Sequence, residues 1–525
     1  MNALRPLYLP LGNASPLDGV DLLFAQRIAQ SNNLSFGFSS SDSDELTQQI
    51  LGFSDEGNDQ RPLPRQNSTR DTSKLPEDEV VTSKAQVINF FLAALLHASR
   101  QGHLCLIVDE RGVFPSFCAL DSQIQKDLLE IPGIVVRVDN RYYLYRNWVC
   151  EQQFIAAHAK LLMQEVKSIA LGEAPGLTGE QRRAVEKALC SSLTLISGGP
   201  GTGKSFTAAM LVRRAVEAGL SVAVAAPTGK ATMHIGQAVE GAHVKTLHSL
   251  LVKKRELPYD LIVVDEASMI DAPLMTQLFT SLKEGARLVL LGDRDQLPPI
   301  DTGHFFADLA KSTDACFLQE CHRTELQEII SWAKDVKNGK SIPYSPLTPD
   351  IVEKIATKLR HCGQNTFCVL SPLRQGRYGV DLLNEFLHER LADLPTPIMI
   401  RENKGEFVNG QRGVLTGEEA EIGGKVYRRY QLPRFEYAYV MSVHKSQGSE
   451  YSEVWVLLPE GAVHFGREML YTAITRARKR VELFAVEGVV ETIVSSHTSR
   501  LSGIMRCPQR HLSCSHEQDL RPQWL

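Results

Sequence analysis

Residues 193–205 read LTLISGGPGTGKS, and this stretch decides the fold. An apolar run of β-strand character enters a glycine-rich loop, and a helical pattern continues through Met210 to Val216. This order of strand, glycine loop and helix is that of a P-loop, whose backbone N–H groups and helix N-terminus converge on phosphate oxygens. We therefore expect the loop to bind ATP through Gly198, Gly199, Pro200, Gly201, Thr202, Gly203, Lys204 and Ser205.

Two pairs of residues predict the chemistry around the phosphates. Lys204 is expected to reach the β- and γ-phosphates, and the Ser205 hydroxyl to bind Mg²⁺. Further along, the apolar run 261–264 ends in Asp265 and Glu266, and carboxylates are costly in such a place without a partner. We expect Asp265 to hold Mg²⁺ through water and Glu266 to accept a proton from the attacking water. An apolar run ending in Asp-Glu is a weak signal alone, but its place after the P-loop makes it a strong one.

Short β-branched runs alternate with helical segments from about Leu177 onward, which predicts parallel sheets connected by crossover helices. The runs form two sets, 193–196, 221–225, 261–264 and 287–291, then 367–370, 439–443, 453–458 and 480–486. We therefore expect two α/β domains in tandem, preceded by a mainly helical adaptor domain in which the acidic stretch 41–80 forms a mobile loop. We expect the adaptor domain at 1–165 and the two α/β domains at 166–325 and 326–490. A glycine-rich β insertion is expected at 397–435 within the second α/β domain, and a C-terminal tail at 491–525.

Composition limits the class of protein. The chain has 525 residues, of which 43% are hydrophobic and 22% charged, so several hydrophobic cores are available. A net charge of −4 neither supports nor excludes nucleic acid, because a basic groove can lie on an acidic body. Ten scattered cysteines indicate reduced thiols in a cytoplasmic protein. The apolar stretch 88–98 is too short to cross a bilayer and the N-terminus lacks a secretory pattern, so no membrane partner is expected.

Five further segments resemble the motifs of superfamily 1 helicases and occur in that family's order. They are APTGKA (226–231), TLH (246–248), GDRDQLPP (292–299), VHKSQGSE (443–450) and YTAITRAR (471–478). Four N-terminal segments add a resemblance to the RecD family, the alpha subunits of RecBCD exodeoxyribonuclease V. They are PLD (16–18), LAALL (92–96), GHLCL (102–106) and YYLYR (142–146). The resemblance implies two tandem RecA-like P-loop NTPase domains, with an SH3-like β insertion in the second.

The same resemblance implies an ATP-dependent 5′-to-3′ motor on single-stranded DNA, working with RecB-like and RecC-like subunits on double-strand DNA ends. It places the adenine-reading residue at Gln181 and the residue that couples the γ-phosphate to DNA at Gln296. Arg323 and Arg476 match arginines that reach the γ-phosphate, and Glu450 matches a ribose contact. Arginine suits this role because its guanidinium stays charged and binds phosphate through a planar fork. In the family the nuclease belongs to the RecB subunit, so none is expected here.

Polar residues at strand ends are the expected DNA contacts, because loops at the carboxyl ends of parallel strands face the ligand. The contacts would be mainly to phosphates and would carry no sequence information. The candidates are Thr228, Thr246, His248, His444 and Ser446. Thr246 and His248 could instead be ordinary turn residues, and His444 could be a hydrogen-bonded interior histidine.

Two features depart from simple patterns. Only VKKRELP (252–258) fills the place where stand-alone relatives carry a strand-separating pin, so the isolated chain is expected to translocate along single strands but to unwind poorly. The C-terminal Cys507, His511, Cys514 and His516 match no standard zinc spacing. Two alternative functions stay open: a stand-alone RecD-like helicase, and a catalytically silent scaffold that binds nucleotide.

Overall fold

The computed structural model describes residues 84–109, 112–114, 134–252, 256–320, 327–362, 366–402 and 404–504. The chain divides into two compact units, residues 1–149 and 150–525. Several expectations fall outside the described residues: the segment 16–18, the loop 41–80, Arg323 and the C-terminal Cys/His cluster. Among the helices that the structure describes, none is long and apolar enough to span a membrane.

The described part of the first unit is a helix on an antiparallel sheet. Its elements are α1 (Lys84–Arg100), β1 (Cys105–Asp109), β2 (Gly112–Phe114), β3 (Val135–Val138) and β4 (Arg141–Leu144), with strand order β2-β1-β4-β3. Phe91 packs edge-to-face on Tyr142, with ring centroids 4.9 Å apart. Strands β3 and β4 match the expected pair. The mainly helical expectation missed β1 and β2, because a short apolar run has no periodicity that separates strand from buried helix. Helix α2 (Tyr145–Leu162) follows β4 in the chain.

The first α/β domain is a parallel sheet between helices. Its helices are α3 (Gly179–Cys190), α4 (Lys204–Glu217), α5 (Gly229–Gly236), α6 (Leu247–Leu251), α7 (Ala272–Thr280) and α8 (Phe305–Ser312). Its strands are β5 (Leu193–Gly198), β6 (Val222–Ala226), β7 (His243–Thr246), β8 (Leu261–Val264), β9 (Arg287–Gly292) and β10 (Cys316–Leu318). The described strands pair in the order β10-β5-β9-β8-β6-β7, all parallel.

Burial explains which of these strands could be predicted. Every residue of β5, β6, β8 and β9 is buried, because a parallel sheet is covered on both faces. Each therefore reads as a continuous apolar run, and all four match the expected runs to within a residue or two. The edge strands β7 and β10 were not predicted, since β7 is exposed at alternate residues and β10 is short.

The second α/β domain repeats this architecture. Its helices are α9 (Gln327–Lys337), α10 (Ile351–His361), α11 (Val380–Arg390), α12 (Val443–Ser446), α13 (Arg467–Ile474) and α14 (Val489–Ser495). Its strands are β11 (Ser345–Pro346), β12 (Phe367–Ser371), β13 (Thr396–Ile400), β14 (Arg412–Thr416), β15 (Glu419–Ile422), β16 (Lys425–Arg428), β17 (Phe435–Tyr437), β18 (Val440–Ser442), β19 (Tyr451–Leu458) and β20 (Ala477–Ala485).

These strands form two separate sheets. Within the described residues, the parallel sheet has the order β11-β20-β19-β12-β18. The strands β13 to β17 form an antiparallel sheet of order β16-β15-β14-β13-β17. This second sheet is the expected insertion, and it has a small core of its own: Ile398, Ile400, Leu415, Ala420 and Ile422. Two tandem RecA-like domains with a β insertion confirm the expected fold class.

The segment after α14 returns to the first α/β domain. The Thr498 N–H donates to Glu468 Oε2 in α13 (3.0 Å). Two residues later, the Arg500 guanidinium donates to three backbone carbonyls of the loop 299–303. The segment therefore ties the second domain to the loop that follows β9.

Candidate functional site

The P-loop connects the end of β5 to the start of α4. Gly201 and Gly203 have φ angles of 75° and 80°, a left-handed conformation that glycine adopts without strain. The Lys204 ammonium donates to the carbonyl oxygens of Gly198 (2.6 Å) and Gly199 (3.1 Å). An ammonium has three donors, so one is left for a phosphate oxygen. The loop and the helix N-terminus have the form of a phosphate cradle.

Gln181 ties helix α3 to the P-loop. Thr178 caps the helix, because its hydroxyl accepts from Gln181 N (3.2 Å) while its own N–H donates to Gln181 Oε1 (3.1 Å). The Gln181 Nε2 donates to the carbonyl of Thr202 in the loop (3.0 Å). Each end of the amide keeps one unused site, a lone pair on Oε1 and a hydrogen on Nε2. These match the N6 donor and N7 acceptor of adenine, so the capping role is compatible with the predicted adenine contact.

Asp265 and Glu266 directly follow strand β8. Burial raises the pKa of Asp265, and the Lys204 ammonium opposes that shift. Glu266 has a φ of 53°, which is strained for a residue with a side chain. Its Oε2 is buried and has no hydrogen-bond partner among the described residues. Burial, followed by the neighbouring Asp265 carboxylate, raises the pKa of Glu266. Glu266 therefore presents a strong acceptor where a general base is expected.

Gln296 lies in the loop after β9 and is almost fully buried. Its Nε2 donates to Asp293 Oδ2 (3.4 Å), whereas its Oε1 is buried without a partner in the described structure. The next residue reaches the second domain, since the Leu297 N–H donates to Thr472 Oγ1 of α13 (2.8 Å). The loop that carries Gln296 is thus held by both domains.

Arg476 comes from the second α/β domain, shortly after α13, and only 4% of it is exposed. Its Nε donates to the carbonyl of Thr472 (3.1 Å), and its terminal nitrogens donate to the carbonyl of Ser449 (3.3 Å) and to Thr475 Oγ1 (3.4 Å). Each of the three guanidinium nitrogens is thus held by an acceptor of the second domain. A buried arginine without a carboxylate partner among these contacts suits an anionic ligand.

A cavity of about 600 Å³ opens between the two α/β domains, which is within the range of ligand sites. The predicted residues that line it are Gln181, Gly199, Pro200, Gly201, Gly203, Lys204, Ser205, Asp265, Glu266, Gln296, Glu450 and Arg476. Gly198 and Thr202 belong to the same loop. Glu450 is paired with Arg478, which also lines the cavity, at 2.7 Å. The structure therefore brings the predicted nucleotide residues that it describes to a single cleft.

Sequence reasoning missed several side chains of this cavity, among them Phe206 and Lys230. Phe206 directly follows the P-loop, and 46% of it is exposed; an apolar residue at a helix start carries no signal in the sequence. Lys230 donates to Ser449 Oγ across the cleft (2.6 Å). The residue as a whole is exposed, yet desolvation, followed by the positive charge of Arg412, lowers the pKa of Lys230 to about 8. Its place in the APTGKA segment is the signal that could have found it.

The predicted DNA contacts of the first domain lie at helix starts. Thr228 and Thr246 are the N-caps of α5 and α6, and their hydroxyls accept from backbone N–H groups three residues on, at 3.2 and 3.3 Å. A capping hydroxyl still has its hydrogen to donate, so both can contact a phosphate. His248 is exposed in the first turn of α6.

The predicted DNA contacts of the second domain differ from each other. His444 is partly exposed, and burial, followed by the charge of Arg500, lowers its pKa. Ser446 is completely buried, and its hydroxyl donates to the carbonyl of Val443 (2.6 Å). Ser446 therefore presents no surface to a DNA strand in this conformation, because at the end of the short helix α12 its side chain faces the protein interior. His444 keeps its place as a candidate.

Comparisons with known proteins find families and relatives that this chain resembles. The AAA domain family matches residues 176–346, and the UvrD-like helicase C-terminal domain family matches residues 437–484. The RecBCD enzyme subunit RecD of Mycobacterium tuberculosis is 30% identical over 471 residues, covering 72% of this chain and 82% of that protein. The ATP-dependent RecD2 DNA helicase of Deinococcus radiodurans is 33% identical over 347 residues, covering 58% of this chain and 48% of that protein.

Part of the chain also matches a solved structure. The Pif1 helicase of Candida albicans matches with a TM-score of 0.42 and 19% identity, covering 61% of this chain and 97% of that chain. The sequence relatives named RecD match over more of the chain: the alignments cover 84% and 82% of two of those proteins and 72% of this chain. With this coverage and 30% identity, the chain belongs to the RecD family of ATP-dependent DNA helicases.

Proposed function

We propose that this chain is the motor subunit of a RecBCD-type complex and moves 5′ to 3′ along a single strand taken from a double-strand DNA end. The observation that carries the proposal is the cleft shared by two α/β domains. One wall supplies the P-loop with Asp265 and Glu266, and the other supplies Arg476. A nucleotide bound between two domains changes their preferred relative orientation, and a stepping motor requires such a change.

Hydrolysis would use residues of both walls. Lys204 and the N–H groups of the P-loop bind the β- and γ-phosphates, and Glu266 Oε2 accepts a proton from the attacking water. Arg476, with Arg323 as a second candidate, neutralises the charge that develops on the γ-phosphate. Turnover therefore requires a closed cleft, because the base and the arginine belong to different domains.

Mg²⁺ fits the oxygen donors of this site. The Ser205 hydroxyl and the Asp265 carboxylate line the same cavity, and both are the hard ligands that this ion prefers. In the described part of the chain no three His, Cys, Asp or Glu side chains form a metal cage, as expected for an ion whose other ligands are phosphate oxygens and water. Bound there, it would supply charge neutralisation on the phosphates.

The DNA strand is proposed to cross both domains through phosphate contacts. Thr228, Thr246 and His248 belong to the first domain and His444 to the second, so cleft closure moves one set of contacts relative to the other. Ser446 could join them only after a rearrangement of α12, because it is buried. Contacts that shift with each ATP convert hydrolysis into directed movement.

RecB-like and RecC-like subunits are the proposed partners, in a heterotrimer, and the cytoplasm is the proposed compartment. The support is that relatives matching over 72% of this chain are named RecBCD enzyme subunits. A second candidate is a stand-alone helicase, because the RecD2 relative has the higher identity. A strand-displacement assay separates the two: the isolated chain should unwind poorly with only 252–258 in the place of a pin, and processive unwinding would favour the second candidate.

The test of the motor function is ATP hydrolysis with and without single-stranded oligonucleotide. We expect stimulation by the oligonucleotide in the wild type and no turnover in Lys204→Gln. Lys354→Gln is the matched control, because Lys354 is an exposed lysine of α10 whose ammonium pairs with the Asp350 carboxylate at 3.0 Å. Equal rates with and without DNA would contradict the proposal, and an inactive control would show that charge loss alone explains the variant. Activity in the wild type also excludes the silent scaffold.

A further inference from the structure

Tyr471 bridges the two α/β domains at the nucleotide cleft. It lies on α13 of the second domain, only 3% of it is exposed, and its hydroxyl donates to Asp293 Oδ2 in the first domain (2.8 Å). A Cβ added to Gly199 would lie 3.2 Å from that hydroxyl, so the oxygen rests against the P-loop. The Lys337 ammonium sits 5.6 Å from the ring centre. The hydroxyl is therefore fixed at the point where the P-loop meets the loop after β9.

Asp293 passes this contact on to Gln296. The carboxylate is almost fully buried, and its Oδ1 accepts from the Asp295 N–H (3.1 Å), which sets its orientation. Its Oδ2 accepts from both the Tyr471 hydroxyl and Gln296 Nε2. An ionised carboxylate only accepts hydrogen bonds, so the NH₂ end of the amide must face Asp293. The carbonyl end, Gln296 Oε1, then faces away from it.

The last group in this chain of contacts is an acceptor on a residue that lines the nucleotide cavity. Gln296 lines the cavity, and its Oε1 is buried without a partner in the described structure. Glu266 Oε2 is the other orphan acceptor of the same cavity. Each of these acceptors lacks a donor among the described residues, so a water molecule bound beside it would satisfy it. The orientation of the Gln296 amide therefore decides whether the cavity offers this water one acceptor or two.

We propose that Tyr471 is a positioning residue for ATP hydrolysis: through Asp293 it holds the Gln296 carbonyl toward the reacting water. The proposal deepens the ATPase function proposed above and depends on it. Tyr471 and Asp293 belong to different domains, so the contact exists only while the cleft is closed. Opening the cleft releases Asp293 and frees the amide to turn. Hydrolysis is thereby restricted to the closed state, which prevents ATP hydrolysis that is not coupled to movement along DNA.

The test is Tyr471→Phe in the full chain, which removes the hydroxyl and keeps the ring. We expect kcat for DNA-stimulated ATP hydrolysis to fall about tenfold or more, while KM and the affinity for a non-hydrolysable ATP analogue stay within about twofold. In a Gln296→Ala background the same change should have less than about a twofold further effect, because both residues act through one amide. Tyr439→Phe is the control, since Tyr439 is a buried tyrosine of the same domain whose hydroxyl donates to Thr396 Oγ1 (3.5 Å).

A second variant covers the case in which Tyr471→Phe fails to fold. Asp293→Asn turns an obligate acceptor into a group that also donates, so the Gln296 amide loses its preferred direction. We expect this variant to match the kcat loss of Gln296→Ala and to keep the affinity for the analogue. A wild type without DNA-stimulated activity would defeat the ATPase function and this proposal together. A stimulated wild type with normal kcat in Tyr471→Phe, or losses that multiply in the Gln296→Ala background, would overturn the positioning role alone.

Discussion

Replacement of Arg476 by alanine should abolish turnover and leave ATP binding in place. The guanidinium carries five N–H donors, and three of them, one from each nitrogen, are used within the second domain. The two that are left lie one on each terminal nitrogen and can donate to phosphate oxygens. In other NTPases such an arginine contributes roughly 10³- to 10⁵-fold in rate, or about 4 to 7 kcal/mol. Lysine keeps the charge without the fork, so Arg476→Lys should recover little.

The assay is DNA-stimulated ATP hydrolysis at saturating ATP, together with binding of a non-hydrolysable analogue. Arg476→Ala should lose at least about 10³-fold in kcat and bind the analogue almost as the wild type does. Arg480→Ala is the matched control, because Arg480 lies in β20, four residues after Arg476, is largely exposed and pairs with Glu482 at 2.8 Å. A loss below about tenfold for Arg476→Ala, or a similar loss in the control, would refute the assignment of this arginine to the γ-phosphate.

Glu266→Gln should stop hydrolysis and yet stabilise the nucleotide-free protein by about 1 to 3 kcal/mol at pH 8, because it removes a buried charge without a partner. The pKa of Glu266 is raised, so the wild-type protein loses stability as pH rises through that pKa. Denaturation at pH 8 should therefore show the variant to be more stable, and denaturation in acid should not. Gly203→Ala should raise KM for ATP and weaken the preference for ATP over GTP, since its Cβ would lie 2.5 Å from Gln181 Nε2. Gly219→Ala has the same positive φ and no neighbour within 4 Å, so equal effects in the two variants would show that backbone strain alone is responsible. Nucleotide binding near pH 8.5 should be accompanied by proton uptake, because the phosphate charge raises the pKa of Lys230 from about 8. Calorimetry in buffers of different ionisation enthalpy should detect this uptake. Proton uptake that persists in Lys230→Gln would show that Lys230 is not its source.

The form of the P-loop was predictable because its geometry is local. The residues 193–205 contain a strand, a turn that only glycines can make and a helix start, and each is specified by neighbours in the chain. The buried strands β5 and β8 were predictable for a related reason, since burial on both faces requires apolar side chains throughout. Strand β7, which lies at the sheet edge with alternate residues exposed, escaped prediction because neither an apolar run nor a clean alternation marks it.

The partners that meet across the cleft could be found only in the folded chain. Tyr471 and Asp293 are 178 residues apart, and Lys230 and Ser449 are 219 apart. No spacing rule relates such residues, because their contact depends on how two independently folded sheets pack against each other. The buried state of Ser446 is of the same kind: its motif placed it at a strand end, and packing of the short α12 decided that its hydroxyl faces the protein. The residue types alone thus indicated a nucleotide ligand and two α/β domains. The direction of each buried polar group follows from tertiary packing, because packing determines which donor lies next to which acceptor.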